Sequence, residues 1–149
     1  MSTALTIRPA TPDDDVDQLF DLLRQLAPDD DRPASEALVA AWRGLHAQPG
    51  RELLLAHLGP RLVGTLDTLA VPNLTHGARP FMLVENVVVD RAARRRGVAA
   101  ALMRAAVDSA RSTNCYKIQL VSHQRRVEAH RLYESAGFTP SATGFRRYL

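Results

Sequence analysis

A buried strand, a basic turn and a helix rich in small residues follow one another in this chain, and this order constrains the fold more than any other feature. Residues 81–89 are almost all apolar at both alternating sets of positions, which is typical of an interior strand covered on both faces. Residues 97–112 then place small and aliphatic side chains at helical spacing, which predicts a helix packed closely on the sheet. The segment therefore indicates an α/β domain.

Alternating apolar residues and turn signals predict further strands around this one. Residues 5–8 alternate apolar and polar side chains, which predicts a short opening strand. Residues 52–58 and 61–71 flank a Gly-Pro turn, which predicts a β-hairpin. We also expect a buried strand at residues 116–121 and a final strand at residues 145–149.

Three more helices are predicted from capping residues and helical spacing. Thr11 is expected to cap the first helix, with Pro12 at its first helical position. Apolar spacing places the second helix around residues 38–45 and the last around residues 129–136. The Gly-Phe pair after the last helix is expected to end it in the left-handed conformation and to fold the ring back onto its final turn.

Length and composition narrow the class of protein. The 149 residues suit one compact domain, and a hydrophobic fraction of 46% is typical of a folded globular protein. Cys115 is the single cysteine, which excludes an internal disulfide framework and a cysteine-rich zinc site. No apolar run approaches the roughly 18 residues of a membrane span, and residues 1–10 do not resemble a leader. We expect a single cytoplasmic domain over residues 1–149, with no membrane partner.

The basic turn holds Arg94, Arg95 and Arg96 immediately before Gly97. Backbone amides at a helix start bind phosphate, and guanidinium groups add charge-assisted hydrogen bonds to a pyrophosphate. The segment lacks the Lys-Ser/Thr pair of a P-loop and the complete glycine fingerprint of a dinucleotide-binding fold. Taken alone, it is equally typical of a solvated loop or a nucleic-acid-binding patch.

Two motifs give the chain a more specific resemblance. Arg94, Gly97 and Ala99 stand at the defined positions of the pattern Arg/Gln-x-x-Gly-x-Gly/Ala, and the segment resembles the acetyl-CoA-binding motif of the GNAT superfamily of N-acetyltransferases. Residues 132–138, Leu-Tyr-Glu-Ser-Ala-Gly-Phe, resemble a second signature of that superfamily. The resemblance implies acetyl-CoA as co-substrate. It also implies an α/β (α+β) fold, with a mixed central sheet of about six to seven strands flanked by about four helices.

The resemblance further implies which residues contact acetyl-CoA. They come from the end of the 81–89 strand and from the turn and helix start after it: Val87, Val88, Val89, Arg94, Arg95, Arg96, Gly97, Val98, Ala99 and Ala100. Residues 115–118 are similar to glucosamine-phosphate acetyltransferases, and residues 126–133 to bacterial small-amine acetyltransferases. Both similarities point to a small amine substrate. Arg126 departs from the family pattern, in which many members carry Asn.

Glu85 and Tyr133 are the candidate catalytic residues. A primary amine has a pKa of about 10.4, so it must lose a proton before it attacks a thioester. Glu85 is the single ionisable side chain in residues 81–89, and we expect it to be buried beside valines and to act as the base. The alternatives are a structural carboxylate or a base that acts through water.

The resemblance assigns the remaining two roles in the chemistry. It implies that a backbone amide of residues 87–89 polarises the thioester carbonyl. It also implies that Tyr133 gives a proton to the departing thiolate. The alternative for Tyr133 is a core aromatic that packs at helical spacing. Residues 72–80, which precede the Glu85 strand, either shape the amine pocket or form a solvated loop.

Three functions remain open from the sequence. The first is an N-acetyltransferase that moves acetyl from acetyl-CoA to a small primary amine by direct attack in a ternary complex. The second is a non-catalytic acyl-CoA-binding regulatory module on the same fold. The third, a nucleic-acid-binding domain, is disfavoured by the acidic residues 13–15 and 29–31 and by an aromatic content of 5%. The five histidines lack a paired metal-ligand spacing, so no metal is expected, and a homodimer is left open.

Overall fold

The computed structural model describes residues 3–149 and contains a five-stranded mixed sheet with the order β1-β2-β3-β4-β5. Neighbouring strands from β1 to β4 are antiparallel, whereas β5 runs parallel to β4. The strands are β1 Leu5–Pro9, β2 Arg51–Leu58, β3 Arg61–Val71, β4 Phe81–Val89 and β5 Ile118–Leu120. The predicted hairpin and the predicted interior strand are confirmed.

Within the described part of the chain, four helices flank the sheet: α1 Val16–Leu23, α2 Ser35–Ala47, α3 Val98–Ser112 and α4 Val127–Ser135. Single 3-10 turns at His76–Ala78 and Arg91–Ala93 precede β4 and α3. Helix α3 carries the chain from β4 back to the parallel strand β5, as a parallel connection requires. Within residues 3–149, no helix has the length and apolar character needed to cross a membrane.

The sheet separates two hydrophobic clusters. On one face, α3 and α4 cover buried side chains that include Leu66, Leu102 and Met103. On the other face, α1 and α2 cover a second cluster that includes Trp42 and Leu55. Full burial of each large aliphatic side chain contributes about 1.5–3 kcal/mol, so both faces of the sheet contribute to its stability.

Gly64 on β3 sets the distance between α3 and the sheet. A β-carbon at Gly64 would lie 2.9 Å from Val98 Cγ1 and 3.1 Å from Leu102 Cδ1. Only the absence of a side chain lets α3 come this close. The expected close packing of this helix is confirmed, and the packing fixes the start of α3 beside the end of β4.

The strand count and the C-terminal strand differ from the prediction. The sheet has five strands, and residues 145–149 form none. Their large side chains, including Phe145 and Tyr148, are exposed rather than packed on the sheet. Strand β5 has three residues instead of the six expected at 116–121. It therefore offers few backbone N–H and C=O groups with which another strand could pair.

The start of α1 also differs from the prediction. Asp15, not Thr11, is the N-cap, because its carboxylate accepts hydrogen bonds from the amides of Asp17 and Gln18. The preceding turn is closed by Asp14, which accepts a hydrogen bond from the Thr11 amide at 2.8 Å. The Arg8 guanidinium also donates to Asp14 and holds the pKa of that carboxyl well below its usual range.

Candidate active site

The basic turn between β4 and α3 (residues 94–97) has a backbone shaped for an anion. Arg95 and Gly97 adopt left-handed conformations, with φ of 60° and 76°. Gly97 is the N-cap of α3, and because glycine has no side chain, no side-chain oxygen caps the first amides of the helix. The Ala101 amide donates to the Gly97 carbonyl at 3.0 Å. The amides of residues 98–100 precede that bond and have no helical acceptor, so they are available to a phosphate.

The side chains of the same turn add positive charge. Arg94, Arg95 and Arg96 are exposed, and within residues 3–149 none of them has a carboxylate oxygen within 4.0 Å. Val98 is 2% exposed and packs in the core, so its backbone alone is open to a ligand. The short side chains of Ala99 and Ala100 leave the approach to the helix start open. The turn thus has the donors and the charge that a pyrophosphate requires.

Strand β4 extends beyond its parallel partner. Strand β5 pairs with residues 82–84 only, whereas β4 continues to residue 89. The β3–β4 register shifts between Thr65 and Asp67, and Asn86 opposite this shift has a φ of 52°. A bulge of this kind bends a strand and increases its twist. One edge of residues 85–89 therefore borders an opening instead of a neighbouring strand.

A cavity of about 240 Å³ occupies this opening, and we call it the β4–β5 cavity. Its walls come from β4, the end of β5, α4, the segment after α1 and the C-terminal segment. Its polar lining residues are Glu85, Asn86, Ser122, His123, Arg126, Tyr133 and Arg146. The structure therefore brings the two candidate catalytic residues, Glu85 and Tyr133, to one cavity.

A second, larger depression of about 500 Å³ lies on the surface between α1 and the turn after β4. Its lining includes Asp21, Arg24 and Arg91 but neither candidate catalytic residue. It is open to solvent, and it includes none of the predicted cofactor contacts. The smaller β4–β5 cavity is the candidate active site because both candidate catalytic residues line it, although the depression has the larger volume.

Glu85 lines the β4–β5 cavity but is exposed rather than buried. The expected burial beside valines is therefore wrong. The reason is the bulge at Asn86, which leaves both side chains at the opening where β5 has already ended. The carboxylate is accessible to a substrate from the cavity.

Tyr133 is 6% exposed and reaches the same cavity from α4. Burial raises the pKa of its phenol above the usual value, and the positive charge of Arg126 opposes part of the rise. The ring lies 6.4 Å from the ring of Phe138, whose amide donates to the Tyr133 carbonyl at 3.0 Å. Gly137 has a φ of 90°, so the predicted fold-back after α4 is confirmed.

The valines at the end of β4 occupy different environments. Val87 lines the β4–β5 cavity. Val88 is 6% exposed and packs in the cluster under α1 and α2. Val89 packs against the cluster under α3. Any contact of Val88 and Val89 with a cofactor would therefore come from their backbone.

The loop before β4 does not line the β4–β5 cavity. His76 stacks on Tyr116 with ring centroids 3.9 Å apart. Arg79 donates hydrogen bonds to the carbonyls of Asn114 and Cys115, which follow α3. The loop is therefore attached to the turn between α3 and β5, and the suggestion that it shapes the amine pocket is wrong for this cavity.

Four polar lining residues were not recognised as site residues in the sequence: Asn86, Ser122, His123 and Arg146. The first follows the predicted base directly, but no local pattern signals its left-handed conformation. Ser122 and His123 become lining residues only because β5 ends early. Arg146 reaches the cavity because of where the C-terminal segment lies in the fold, and no periodic pattern of residues in the sequence predicts that position. Among the residues that the structure describes, no group of three or more His, Cys, Asp or Glu is arranged to hold a metal ion.

Residues 16–138 match the family model described as the acetyltransferase (GNAT) family. A putative acetyltransferase from Agrobacterium tumefaciens has a similar structure, with a TM-score of 0.91 and 35% identity, over 97% of this chain and 99% of that chain. A structure described as a transcriptional regulator from Bacillus halodurans has a TM-score of 0.87 and 29% identity, over 98% of this chain and 100% of that chain.

A curated relative gives a local sequence match. Glucosamine 6-phosphate N-acetyltransferase from Trypanosoma brucei brucei is 35% identical over 78 residues, which are 52% of this chain and 51% of that protein. The match thus spans about half the length of this relative. A second curated protein, from Arabidopsis thaliana, is matched over 24% of its length.

Proposed function

The chain belongs to the acetyltransferase (GNAT) family, and we propose that it transfers acetyl from acetyl-CoA to a primary amine of a small molecule. The amine attacks the thioester directly in a ternary complex. One observation carries the proposal: Glu85 and Tyr133, from β4 and α4, line a single cavity that opens beside the end of β4. The basic turn follows that strand after residues 90–93 and leads into α3.

The basic turn supports the binding of acetyl-CoA. Amides of residues 98–100 and the guanidinium groups of Arg94, Arg95 and Arg96 can hold the pyrophosphate. The pantetheine arm can then lie along the edge of residues 85–89, which has no partner strand. A backbone amide on that edge would polarise the thioester carbonyl as negative charge develops on its oxygen.

Glu85 acts as the general base in this proposal. Its exposed carboxylate accepts a proton from the ammonium group of the substrate, directly or through one water. The freed amine nitrogen forms a bond to the acetyl carbon. The attacking nitrogen of the resulting tetrahedral species gives its second acidic proton to solvent. The species then collapses, the carbon–sulfur bond breaks and the electron pair leaves on the sulfur.

Tyr133 acts as the general acid in the last step. Its phenol keeps its proton because burial raises its pKa. It can therefore donate that proton to the departing thiolate, which leaves as the CoA thiol. The two side chains thus take up one proton and supply another, and solvent exchange restores both.

A second candidate function is a non-catalytic acyl-CoA-binding regulator. The description of the similar Bacillus halodurans structure as a transcriptional regulator favours it. The same fold and the same basic turn would serve that role. An acetyltransferase would consume the bound acetyl-CoA, whereas a non-catalytic regulator would not.

An assay of CoA thiol release with acetyl-CoA and a panel of amines tests the proposal. The panel contains amino sugars, amino acids, polyamines, aminoalkyl phosphates and aminoglycosides. We expect at least one amine to raise thiol release well above the rate without amine. Binding of acetyl-CoA by calorimetry, together with no amine-dependent release across the panel, would instead support the regulator.

A further inference from the structure

Two arginines and one carboxylate line the β4–β5 cavity. Arg126 is the residue immediately before α4, and Arg146 comes from the C-terminal segment. Glu85 is the single acidic residue among the lining residues. The cavity therefore has an excess of positive charge, which an amine without an anionic group would not require.

Neither arginine is neutralised by the chain itself. Across residues 3–149, no carboxylate oxygen lies within 4.0 Å of either guanidinium. Other arginines do have such partners, as Arg51 has in Asp67 and Arg61 in Asp90. The hydrogen bond of Arg146 to the Tyr148 hydroxyl, at 3.4 Å, leaves most of its donors free.

A buried hydroxyl lies in the same cavity. The Ser122 Oγ is shielded from solvent and has no hydrogen-bond partner among the described residues. Ser122 lies two residues after the end of β5, in the same connection to α4 that contains Arg126, and both residues line the cavity. A buried polar atom without a partner is costly, so a ligand atom that pairs with this hydroxyl would be favoured.

Part of the C-terminal segment lies beside the residue that follows β5. A β-carbon on Gly144 would lie 3.4 Å from Val121 Cγ1, an ordinary van der Waals distance. Two residues later, Arg146 lines the cavity. The position of Arg146 therefore depends on packing of the segment.

We propose that Arg126, Arg146 and Ser122 form an anion-binding side of the β4–β5 cavity, and that the acceptor is an amine that also carries a carboxylate or phosphate group. The inference rests on the proposed function, since it assigns the substrate class of the same site. A guanidinium group binds either anion through paired hydrogen bonds. The phosphates of acetyl-CoA have separate donors at the basic turn.

Matched pairs of amines test this inference in the full chain. Glucosamine 6-phosphate is compared with glucosamine, and β-alanine with propylamine, by kcat/KM at saturating acetyl-CoA. We expect the anionic member to be preferred by about 100-fold in at least one pair, from charge-assisted hydrogen bonds to two arginines. The pair that shows the preference distinguishes phosphate from carboxylate.

Variants then assign the preference to the named residues. Arg146→Ala should lower it about 10-fold and Ser122→Ala more weakly, with KM for acetyl-CoA unchanged. Arg147→Ala is the matched control, because Arg147 is an exposed neighbour that does not line the cavity, and it should leave the preference intact.

Three results would overturn the inference. An enzyme that acetylates the amines without an anionic group as well as their carboxylate- or phosphate-bearing partners would keep the proposed function and refute the anion site. An Arg146→Ala variant with raised KM for acetyl-CoA and an unchanged preference would assign Arg146 to the cofactor. Failure to acetylate any amine, combined with equal binding of glucosamine and glucosamine 6-phosphate by calorimetry, would refute both.

Discussion

Asp67 and Glu85 are directly opposite each other in the β3–β4 ladder. Asp67 is 4% exposed, whereas Glu85 lies open to the β4–β5 cavity. Two carboxylates at directly opposed positions repel unless one is compensated. Arg51 provides the compensation, because its Nε donates to both carboxylate oxygens of Asp67 at 3.1 Å. The Arg51–Asp67 ion pair therefore compensates the charge of Asp67, the residue opposite the candidate base Glu85.

Replacing Arg51 should destabilise the fold. Arg51→Met leaves the Asp67 carboxylate buried without its partner, and we expect a loss of about 3 kcal/mol in the free energy of unfolding. Adding Asp67→Asn should recover part of the loss, since no unpaired charge remains. Urea unfolding measures both. Arg61→Met is the matched control: its ion pair with Asp90 is more exposed, so a loss below about 1 kcal/mol is expected.

Asp14 should make stability depend on acid pH. The hydrogen bond from Arg8, with a further one from the Thr11 amide, lowers its pKa in the folded state. Its contribution is therefore fully present above the unfolded pKa of about 3.9 and is lost as the pH falls below that value. We expect Asp14→Asn to be less stable than wild type at pH 7, and the difference to shrink as the pH falls from about 3.9 toward the lowered folded pKa.

Unfolding of the Asp14→Asn variant by urea across this pH range provides the measurement. Asp13→Asn serves as control, because Asp13 is an exposed neighbour, and its stability at pH 7 should stay within about 0.5 kcal/mol of wild type. A constant difference between Asp14→Asn and wild type at every pH would contradict the prediction.

The sequence predicted the elements whose signal is local and missed those that depend on partners. Strands β3 and β4 have the predicted bounds, because Gly-Pro and Asp punctuation marks their ends. The helix cap moved from Thr11 to Asp15, since three consecutive acidic residues offered several capping positions. Aromatic and aliphatic side chains within residues 145–149 suggested a strand, but these residues form none and their large side chains are exposed.

The sequence predicts which residues belong to the candidate site better than it predicts how exposed they are. Motifs predict Tyr133 and the basic turn, and Glu85 is predicted as the single ionisable side chain of an apolar strand. The structure places Glu85 and Tyr133 in one cavity. The exposure of Glu85 was missed, because the bulge at Asn86 and the early end of β5 are tertiary features. Arg146 was missed for the same reason, since its segment has no regular structure.

Gly97 should be required for binding of acetyl-CoA. A β-carbon there meets no atom within 4 Å, so Gly97→Glu would not clash with the chain itself. It would strain a left-handed residue by about 1–2 kcal/mol and add a carboxylate where the pyrophosphate is expected. We expect calorimetry to detect no acetyl-CoA binding by the folded variant.

Gly77→Glu is a matched control for backbone strain. Gly77 has a φ of 71°, also meets no atom within 4 Å, and lies in the loop before β4. This variant should bear a similar cost in stability and bind acetyl-CoA as wild type does. Unchanged affinity in Gly97→Glu would remove the basic turn from the cofactor site.

Glu85→Gln should lower turnover with little effect on acetyl-CoA affinity. The amide keeps the shape of the side chain but cannot accept the amine proton, so a loss of about 100-fold to 10,000-fold in kcat is expected near neutral pH. Glu36→Gln on α2 is a control, since Glu36 is exposed and does not line the cavity. A full rate for Glu85→Gln at every pH would show that another group is the base.

The buried phenol of Tyr133 should also act on stability at alkaline pH. Its raised pKa means that its neutral form is favoured by the fold, so this contribution is present below the unfolded pKa of about 10 and is lost as the pH rises through the folded value. A reactive acid that stays protonated across the neutral range suits proton donation. The chemical role and the packing role therefore need separate readouts.

Tyr133→Phe separates chemistry from packing, because only the hydroxyl is lost from an otherwise equal ring. We expect kcat to fall by about 100-fold while acetyl-CoA affinity and the fold stay close to wild type. The defect should shrink with an acyl donor whose leaving thiol has a lower pKa, since that thiolate needs less protonation. Tyr116→Phe is the matched control, because Tyr116 stacks on His76 and does not line the β4–β5 cavity, so kcat should stay unchanged. Equal turnover of Tyr133→Phe and wild type, where chemistry limits the rate, would leave Tyr133 with a packing role alone.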